Sequence, residues 1–185
     1  MKTLRRRLNR RFAFCGPLFL LLFLCGCSQR TTSPDTGEGK APPSSIRGTT
    51  AAPFELRDLE GKTVRMQDFT GKVVLLNFWG TTCAPCKVEI PWLVEFQKQF
   101  GPKGLQVVAV SMYGETAEEL KPYVAEHRME NLTVVIGNDN LMPPFGLVGF
   151  PTTFLVDKEG KYFARYNGLI NRPMVGNELA TLLSP

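Results

Sequence analysis

The sequence predicts an α/β domain built on a mixed, mostly parallel sheet flanked by helices and preceded by a β-hairpin. Three observations carry this. Short apolar runs alternate with amphipathic stretches from about residue 73 onward, the pattern of strands connected through helices. The run Val73–Trp79 is almost continuously apolar, which suits a central parallel strand covered on both faces. The length of 185 residues suits one domain with appendages.

The elements follow in order. Phe54-Glu55-Leu56 and Thr63-Val64-Arg65-Met66 alternate around Glu60-Gly61-Lys62, the signature of a hairpin. After Val73–Trp79, apolar residues recur at Ile90, Leu93, Val94 and Phe100. That spacing predicts an amphipathic helix, stopped by Gly101-Pro102. Leu105–Val110 reads as a second buried strand. Thr116 to about Arg128 reads as a second helix, with Thr116 as N-cap and Glu119 three places on. Leu132–Ile136 and Thr152–Val156 read as strands. The turn Asp157–Gly160 then leads into a strand over Lys161–Tyr166, a closing antiparallel hairpin. A last helix is expected from about Arg172 to Leu183.

The ends of the chain have a different character. The formal net charge is +5. Lys2, Arg5, Arg6, Arg7, Arg10 and Arg11 all lie in the first 26 residues, which hold no acid; the remainder carries a net charge of −1. The basicity therefore belongs to a leader and implies no nucleic-acid partner. Phe12–Cys25 is apolar but falls short of the ~20 residues of a spanning helix, and suits a secretory signal. Leu24-Cys25-Gly26-Cys27 resembles a bacterial lipoprotein processing box, which implies lipidation at Cys27 after removal of residues 1–26. The alternative is an uncleaved signal anchor. Residues 27–51 are rich in Ser, Thr, Pro and Gly without apolar periodicity. They read as a flexible tether, about 25 Å in mean span, leaving 52–185 as the folded domain. The expected location is extracytoplasmic and membrane-anchored, on the periplasmic side in a Gram-negative cell.

Once Cys15 and Cys25 leave with the leader and Cys27 carries lipid, Cys83 and Cys86 are the free thiols. A bridge between residues three apart closes too small a loop to staple a fold, so the pair is read as chemical. It sits where a buried strand gives way to a helix. The first cysteine falls at the helix N-terminus, whose unpaired N–H groups and dipole favour a thiolate. Cys86, one turn later, lies close enough to close a disulfide. Cys83 is therefore expected to attack and Cys86 to resolve. Pro85 stiffens the first turn without costing a hydrogen bond. A structural zinc site wants four Cys or His ligands; the mature chain offers these two cysteines and His127, read as a solvated surface residue. Glu89, three places after Cys86, points the same way and could take a proton from it.

The run Asn77-Phe78-Trp79-Gly80-Thr81-Thr82-Cys83-Ala84-Pro85-Cys86-Lys87-Val88-Glu89-Ile90-Pro91 resembles the active-site segment of the thioredoxin superfamily, in its membrane-tethered TlpA- and ResA-like group. Gly149-Phe150-Pro151-Thr152-Thr153-Phe154-Leu155-Val156-Asp157 resembles that group's second signature. The resemblance covers about residues 52–183. It implies a thioredoxin-like fold and a cis bond at Pro151, which would expose the Phe150 backbone to pair with a substrate segment. It implies that Pro91 kinks the active-site helix and that Trp79, an aromatic packed near the site, joins Phe150 and Pro151 as a substrate-binding residue. It places Glu89 near the thiols. Position 82 departs from the group: Thr stands where Trp is usual, removing an aromatic from the partner-facing rim. Asn77 stands where cytosolic thioredoxins carry a buried acid, so a proton relay here must use Glu89.

The expected function is thiol–disulfide exchange on protein substrates, favouring net reduction, with apocytochrome c thiols as the substrate the resemblance suggests. No cofactor is expected beyond the Cys83–Cys86 disulfide. A membrane electron donor and a monomeric state are expected. Two alternatives stand beside this reading. A thiol peroxidase would have Thr three positions before its cysteine, where this chain has Gly80. A copper-binding chaperone module would space its cysteines wider and add a ligand histidine.

Overall fold

A computed structural model describes residues 46–184. The leader, Cys27 and the tether as far as residue 45 lie outside the described residues.

Seven strands form one sheet in the order β2-β1-β5-β4-β3-β6-β7. β1 (Glu55–Asp58) and β2 (Thr63–Arg65) make the expected hairpin, with Leu56 opposite Val64. β3 (Val73–Trp79) runs parallel to β4 (Leu105–Ser111), which runs parallel to β5 (Thr133–Ile136). β6 (Thr152–Val156) lies antiparallel on the other side of β3, and β7 (Tyr162–Asn167) closes the sheet beyond it. The sheet is mixed, as predicted, but among the described residues only two of its six pairings are parallel. The parallel pairs come from the two strand–helix–strand crossovers. The antiparallel pairs come from the two hairpins and from β1 and β6 docking head-to-tail on β5 and β3. An apolar run such as β3 reports burial on both faces; it does not report the direction of its neighbours.

Helix α1 (Ala84–Phe100) follows β3, and α2 (Ala117–Glu126) follows β4. A short helix absent from the sequence reading, α3 (Met142–Phe145), precedes β6, and α4 (Arg172–Leu182) ends the described chain. Strand residues alternate between two apolar clusters. Leu75, Trp79, Val107, Ala109 and Leu155 pack with Ile90 and Leu93 of α1, Leu120 and Val124 of α2, and Val175 and Leu179 of α4. Leu76, Phe78, Val108, Val110 and Phe154 pack on the opposite face with Phe145 of α3, Phe69, Phe54 and Ala51. All seven residues of β3 are buried.

Residues 46–51, assigned to the tether by composition, belong to the folded domain. The Gly48 and Ala51 N–H groups donate to Tyr162 and Gly160 carbonyls at 2.8 and 2.9 Å. Thr50 bridges to Lys161, and the Arg47 guanidinium lies 4.0 Å from the Phe163 ring centre. The segment covers the free edge of β7 at its turn end, which composition could not reveal.

At the head of α2, Thr116 accepts from the Glu119 N–H, and Glu119 accepts from the Thr116 N–H at 2.8 Å, forming the expected capping box. Thr116→Ala should lower stability by about 1 kcal/mol, while Thr116→Ser should keep it. Urea unfolding midpoints of the two variants check this; equal midpoints for Ala and wild type would remove the cap from the stability account.

Candidate active site

The site grows from the carboxyl end of β3. After Trp79, the loop Gly80-Thr81-Thr82 delivers Cys83 as the N-cap of α1. The Cys83 sulfur accepts the Cys86 N–H at 3.3 Å, and Pro85 lies in the first turn, where a missing N–H leaves no bond unmade. The cysteines are joined in a disulfide with Cα atoms 5.3 Å apart. Cys83 retains 7% exposure and Cys86 1%. The outer sulfur therefore sits at a helix N-terminus, where the partial positive charge of the orphan N–H groups favours a thiolate over a thiol. Pro91 falls inside α1, so the Lys87 carbonyl lacks its usual intrahelical donor.

The second signature comes alongside through sheet register. Phe78 pairs with Thr152, which sets Pro151 level with the end of β3. The Phe150–Pro151 bond is cis, as the resemblance implied. The Pro151 carbonyl accepts from Gly168 N–H at 2.8 Å, and the Thr152 hydroxyl donates to the Gly149 carbonyl at 2.7 Å. Among the described residues nothing hydrogen-bonds to the Phe150 main chain. Its ring packs against the cluster that contains both cysteines.

Glu89 is almost fully buried at 1% exposure. The Asn77 amide donates to its Oε1 at 3.0 Å and to the Thr153 hydroxyl at 2.9 Å, and that hydroxyl donates to the same Oε1 at 2.9 Å. The Ile170 N–H approaches Oε2 at 3.4 Å. Asn77 and Thr153 are directly opposed cross-strand neighbours on β3 and β6, so the sheet itself holds the carboxyl. Burial raises its pKa from 4.5 to about 7, against the opposing hydrogen bonds from Thr153 and Ile170. A carboxyl in this state can both accept and return a proton near neutrality, on the same helix face as Cys86 and one turn along. Asn77, read only as a missing acid, acts here as a donor to Glu89.

Other expectations are revised. Trp79 does lie in the cluster with the cysteines, but it is 0% exposed and cannot touch a partner. Its ring packs at a tilt against Tyr123, with centroids 5.3 Å apart. His127 is not simply solvated: it stacks on Tyr123 at 3.9 Å, with Nδ1 3.0 Å from the Tyr123 carbonyl oxygen. Thr82 is exposed, as its place on the rim required. An aromatic nevertheless reaches that rim from elsewhere, in Tyr113 of the loop between β4 and α2. It leans on Gly80, where an added Cβ would sit 2.5 Å from the ring.

Glu115 also escaped the sequence reading. Its carboxylate accepts from the Thr81 N–H and hydroxyl at 3.2 and 2.7 Å, the Ser111 hydroxyl at 2.5 Å and the Tyr113 N–H at 3.2 Å. Burial pushes this carboxyl up, but the hydrogen bonds from Ser111 and Thr81 prevail and hold it below the usual range. It ties the loop entering Cys83 to the loop leaving β4. Its bonds to Ser111 and Tyr113 are local, but the one that reaches the Cys83 loop joins it to Thr81, 34 residues away, which spacing cannot reveal.

Glu89 makes stability pH-dependent with a definite sign. Its folded pKa of about 7 lies above the unfolded 4.5. Between these values the folded state holds more protons, so stability falls as pH rises from about 4.5 to about 7, by roughly 3 kcal/mol. Glu89→Gln, which keeps an oxygen acceptor for Asn77 and Thr153, should flatten that part of the profile. Urea unfolding at several pH values measures it; an unchanged slope in the variant would assign the titration to another group.

Known proteins agree with this geometry. Residues 47–164 match the AhpC/TSA family. The thiol–disulfide oxidoreductase ResA of Bacillus thuringiensis is 35% identical over 121 residues, covering 65% of this chain and 69% of that protein. The crystal structure of a putative thiol:disulfide interchange protein DsbE from Chlorobium tepidum superposes with a TM-score of 0.65 at 29% identity, over 75% of this chain and 98% of that one. The exposed lipoprotein thioredoxin of Streptococcus pneumoniae superposes with a TM-score of 0.61 at 29% identity, over 71% and 100%. A disulfide of two-residue spacing at the head of α1, on this fold and with these relatives, places the chain in the AhpC/TSA family as a thioredoxin-like thiol–disulfide oxidoreductase of the ResA and DsbE type.

Proposed function

We propose that this oxidoreductase works outside the cytoplasm, held to a membrane by a lipid on Cys27, and that it reduces disulfides in protein substrates. The observation that carries the reading is the unequal placement of the two sulfurs, Cys83 at the helix N-cap and Cys86 buried behind it, one helical turn before buried Glu89. The Cys83 thiolate attacks one sulfur of a substrate disulfide. A mixed disulfide forms and the first substrate thiolate leaves. Cys86 gives its proton to Glu89, attacks the Cys83 sulfur and releases the second substrate thiolate. Two electrons pass to the substrate, and the enzyme is left as the Cys83–Cys86 disulfide. A dithiol donor in the membrane then restores it. The Phe150 main chain, without a hydrogen-bond partner among the described residues, supports strand-like pairing with an extended substrate segment beside the thiol.

The location rests on the apolar leader and the Gly26-Cys27 box. A structural relative described as an exposed lipoprotein thioredoxin supports it. Among the described residues no helix is long and apolar enough to cross a membrane, so attachment would fall to the segment before residue 46. The likeness to ResA favours oxidised apocytochrome c as the substrate. The electrons travel on the cysteines alone, with no added cofactor, and the enzyme acts as a monomer. A peroxidase would want Thr at position 80, and a Cβ there would meet the Tyr113 ring at 2.5 Å.

Two measurements test this. Cys86→Ser should accumulate mixed disulfides with substrate proteins through Cys83, and Cys83→Ser should accumulate almost none; equal trapping would reverse or remove the assignment. The Cys83–Cys86 potential should lie below about −180 mV, nearer thioredoxin's roughly −270 mV. Ala84 and Pro85 offer no side-chain stabilisation to a thiolate, and an ionised Glu89 opposes one. A value near about −120 mV would mark a disulfide-forming oxidant instead.

A further inference from the structure

We propose that Tyr113 is a specificity-determining residue, an aromatic platform on which an apolar side chain of a substrate polypeptide rests while the adjoining disulfide is exchanged at Cys83. This rests on the protein-substrate reading above and deepens it.

Three observations converge. Tyr113 is 46% exposed, and with Val88 at 50% and Val148 at 86% it makes up the exposed large hydrophobic side chains among the described residues. All three belong to segments that build the redox site. Val88 is two residues after Cys86, Val148 three before Pro151, and Tyr113 lies over Gly80, three before Cys83. Exposed apolar side chains gathered on the segments that build one site mark an interaction surface rather than scatter, and Tyr113 itself lies over Gly80 of the loop that enters Cys83 and against Phe150.

The ring is also held in place. Its edge-to-face contact with Phe150 spans 5.6 Å between centroids. Its underside fills the space at Gly80 that any Cβ would occupy. Its own N–H donates to Glu115, which also takes the N–H and hydroxyl of Thr81. The loop carrying Tyr113 and the loop entering Cys83 are thus clamped together. A ring fixed before binding loses little freedom when a partner arrives, so its free face can contribute to affinity. Thr82, exposed and small beside Cys83, leaves the approach to that face open.

The occupant is an extended segment with an aromatic or large aliphatic side chain close to its disulfide cysteine. The Phe150 main chain would pair with its backbone, and Tyr113 would meet its side chain. A small disulfide has no side chain to place there.

The test uses the reduced full-length protein and two disulfide peptides that differ at one position beside the cysteine, Phe in one and Gly in the other. Wild type should favour the Phe peptide by about tenfold in kcat/KM, or ~1.4 kcal/mol, chiefly through KM. Tyr113→Ala should bring the ratio close to unity while the Cys83–Cys86 potential keeps its wild-type value. Tyr113→Phe should retain the preference. An undiminished preference in Tyr113→Ala, or equal losses on both peptides, would overturn the assignment. Wild type that reacts with 2-hydroxyethyl disulfide but reduces neither peptide would instead overturn the protein-substrate reading, and this inference with it.

Discussion

β3 and β6 pair antiparallel with Asn77 opposite Thr153 and Phe78 opposite Thr152, and the redox site depends on that register. The first pair puts an amide and a hydroxyl under Glu89. The second sets Pro151 level with the end of β3, so that Phe150 stands beside the loop that enters Cys83. A slip of one residue in either strand would turn Asn77 or Thr153 to the other face and deprive the buried Glu89 carboxyl of that donor. An unsatisfied buried polar group costs ~1–3 kcal/mol, and more if charged. The apolar alternation on both faces of β3 guards against that slip, since Leu76 and Phe78 would have to exchange places with Leu75 and Asn77.

Two electrostatic influences meet at the cysteines. The N-terminus of α1 favours negative charge on Cys83, an effect of ~0.3–1 kcal/mol at exposed sites and up to ~2 in favourable ones. Glu89, buried behind Cys86, resists becoming a second negative charge there. The arrangement separates the two steps of exchange. In the proposed exchange the helix start favours the outer sulfur as the attacking one, and Glu89 serves as the acceptor for the proton of the inner one. The Asn77–Thr153–Glu89 triangle makes this possible by giving the carboxyl partners in either protonation state.

Around the sulfurs, the rim is assembled from three loops that meet only in the folded chain. Gly80 lets Tyr113 approach β3's end, Tyr113 meets Phe150, and Glu115 fastens the Tyr113 loop to Thr81. Trp79 lies beneath, packed on Tyr123, and supplies a rigid floor. The chemistry belongs to the helix start, and the surface a partner meets belongs to the loops, a division that lets one redox scaffold serve different substrates.

Features governed by short-range interactions were legible in the sequence. Alternation marked the first hairpin, a continuous apolar run marked β3, Thr116 and Glu119 marked the head of α2, and the Cys83–Cys86 pair declared itself by its place between strand and helix. Each rests on contacts within a few residues, where residue type and spacing suffice. The resemblance supplied the cis bond at Pro151, which spacing alone would not have suggested. Other features were decided only in three dimensions. Asn77 and Thr153 are 76 residues apart, Glu89 and Ile170 81, and Thr81 and Glu115 34. The direction of β6, the docking of residues 46–51 along β7, the full burial of Trp79 and the clamping of Tyr113 likewise depend on how distant segments meet. Local chemistry in the sequence determines what each segment can become; the partners that satisfy its buried polar groups, and the side chains left facing solvent, exist only once the sheet has closed its register.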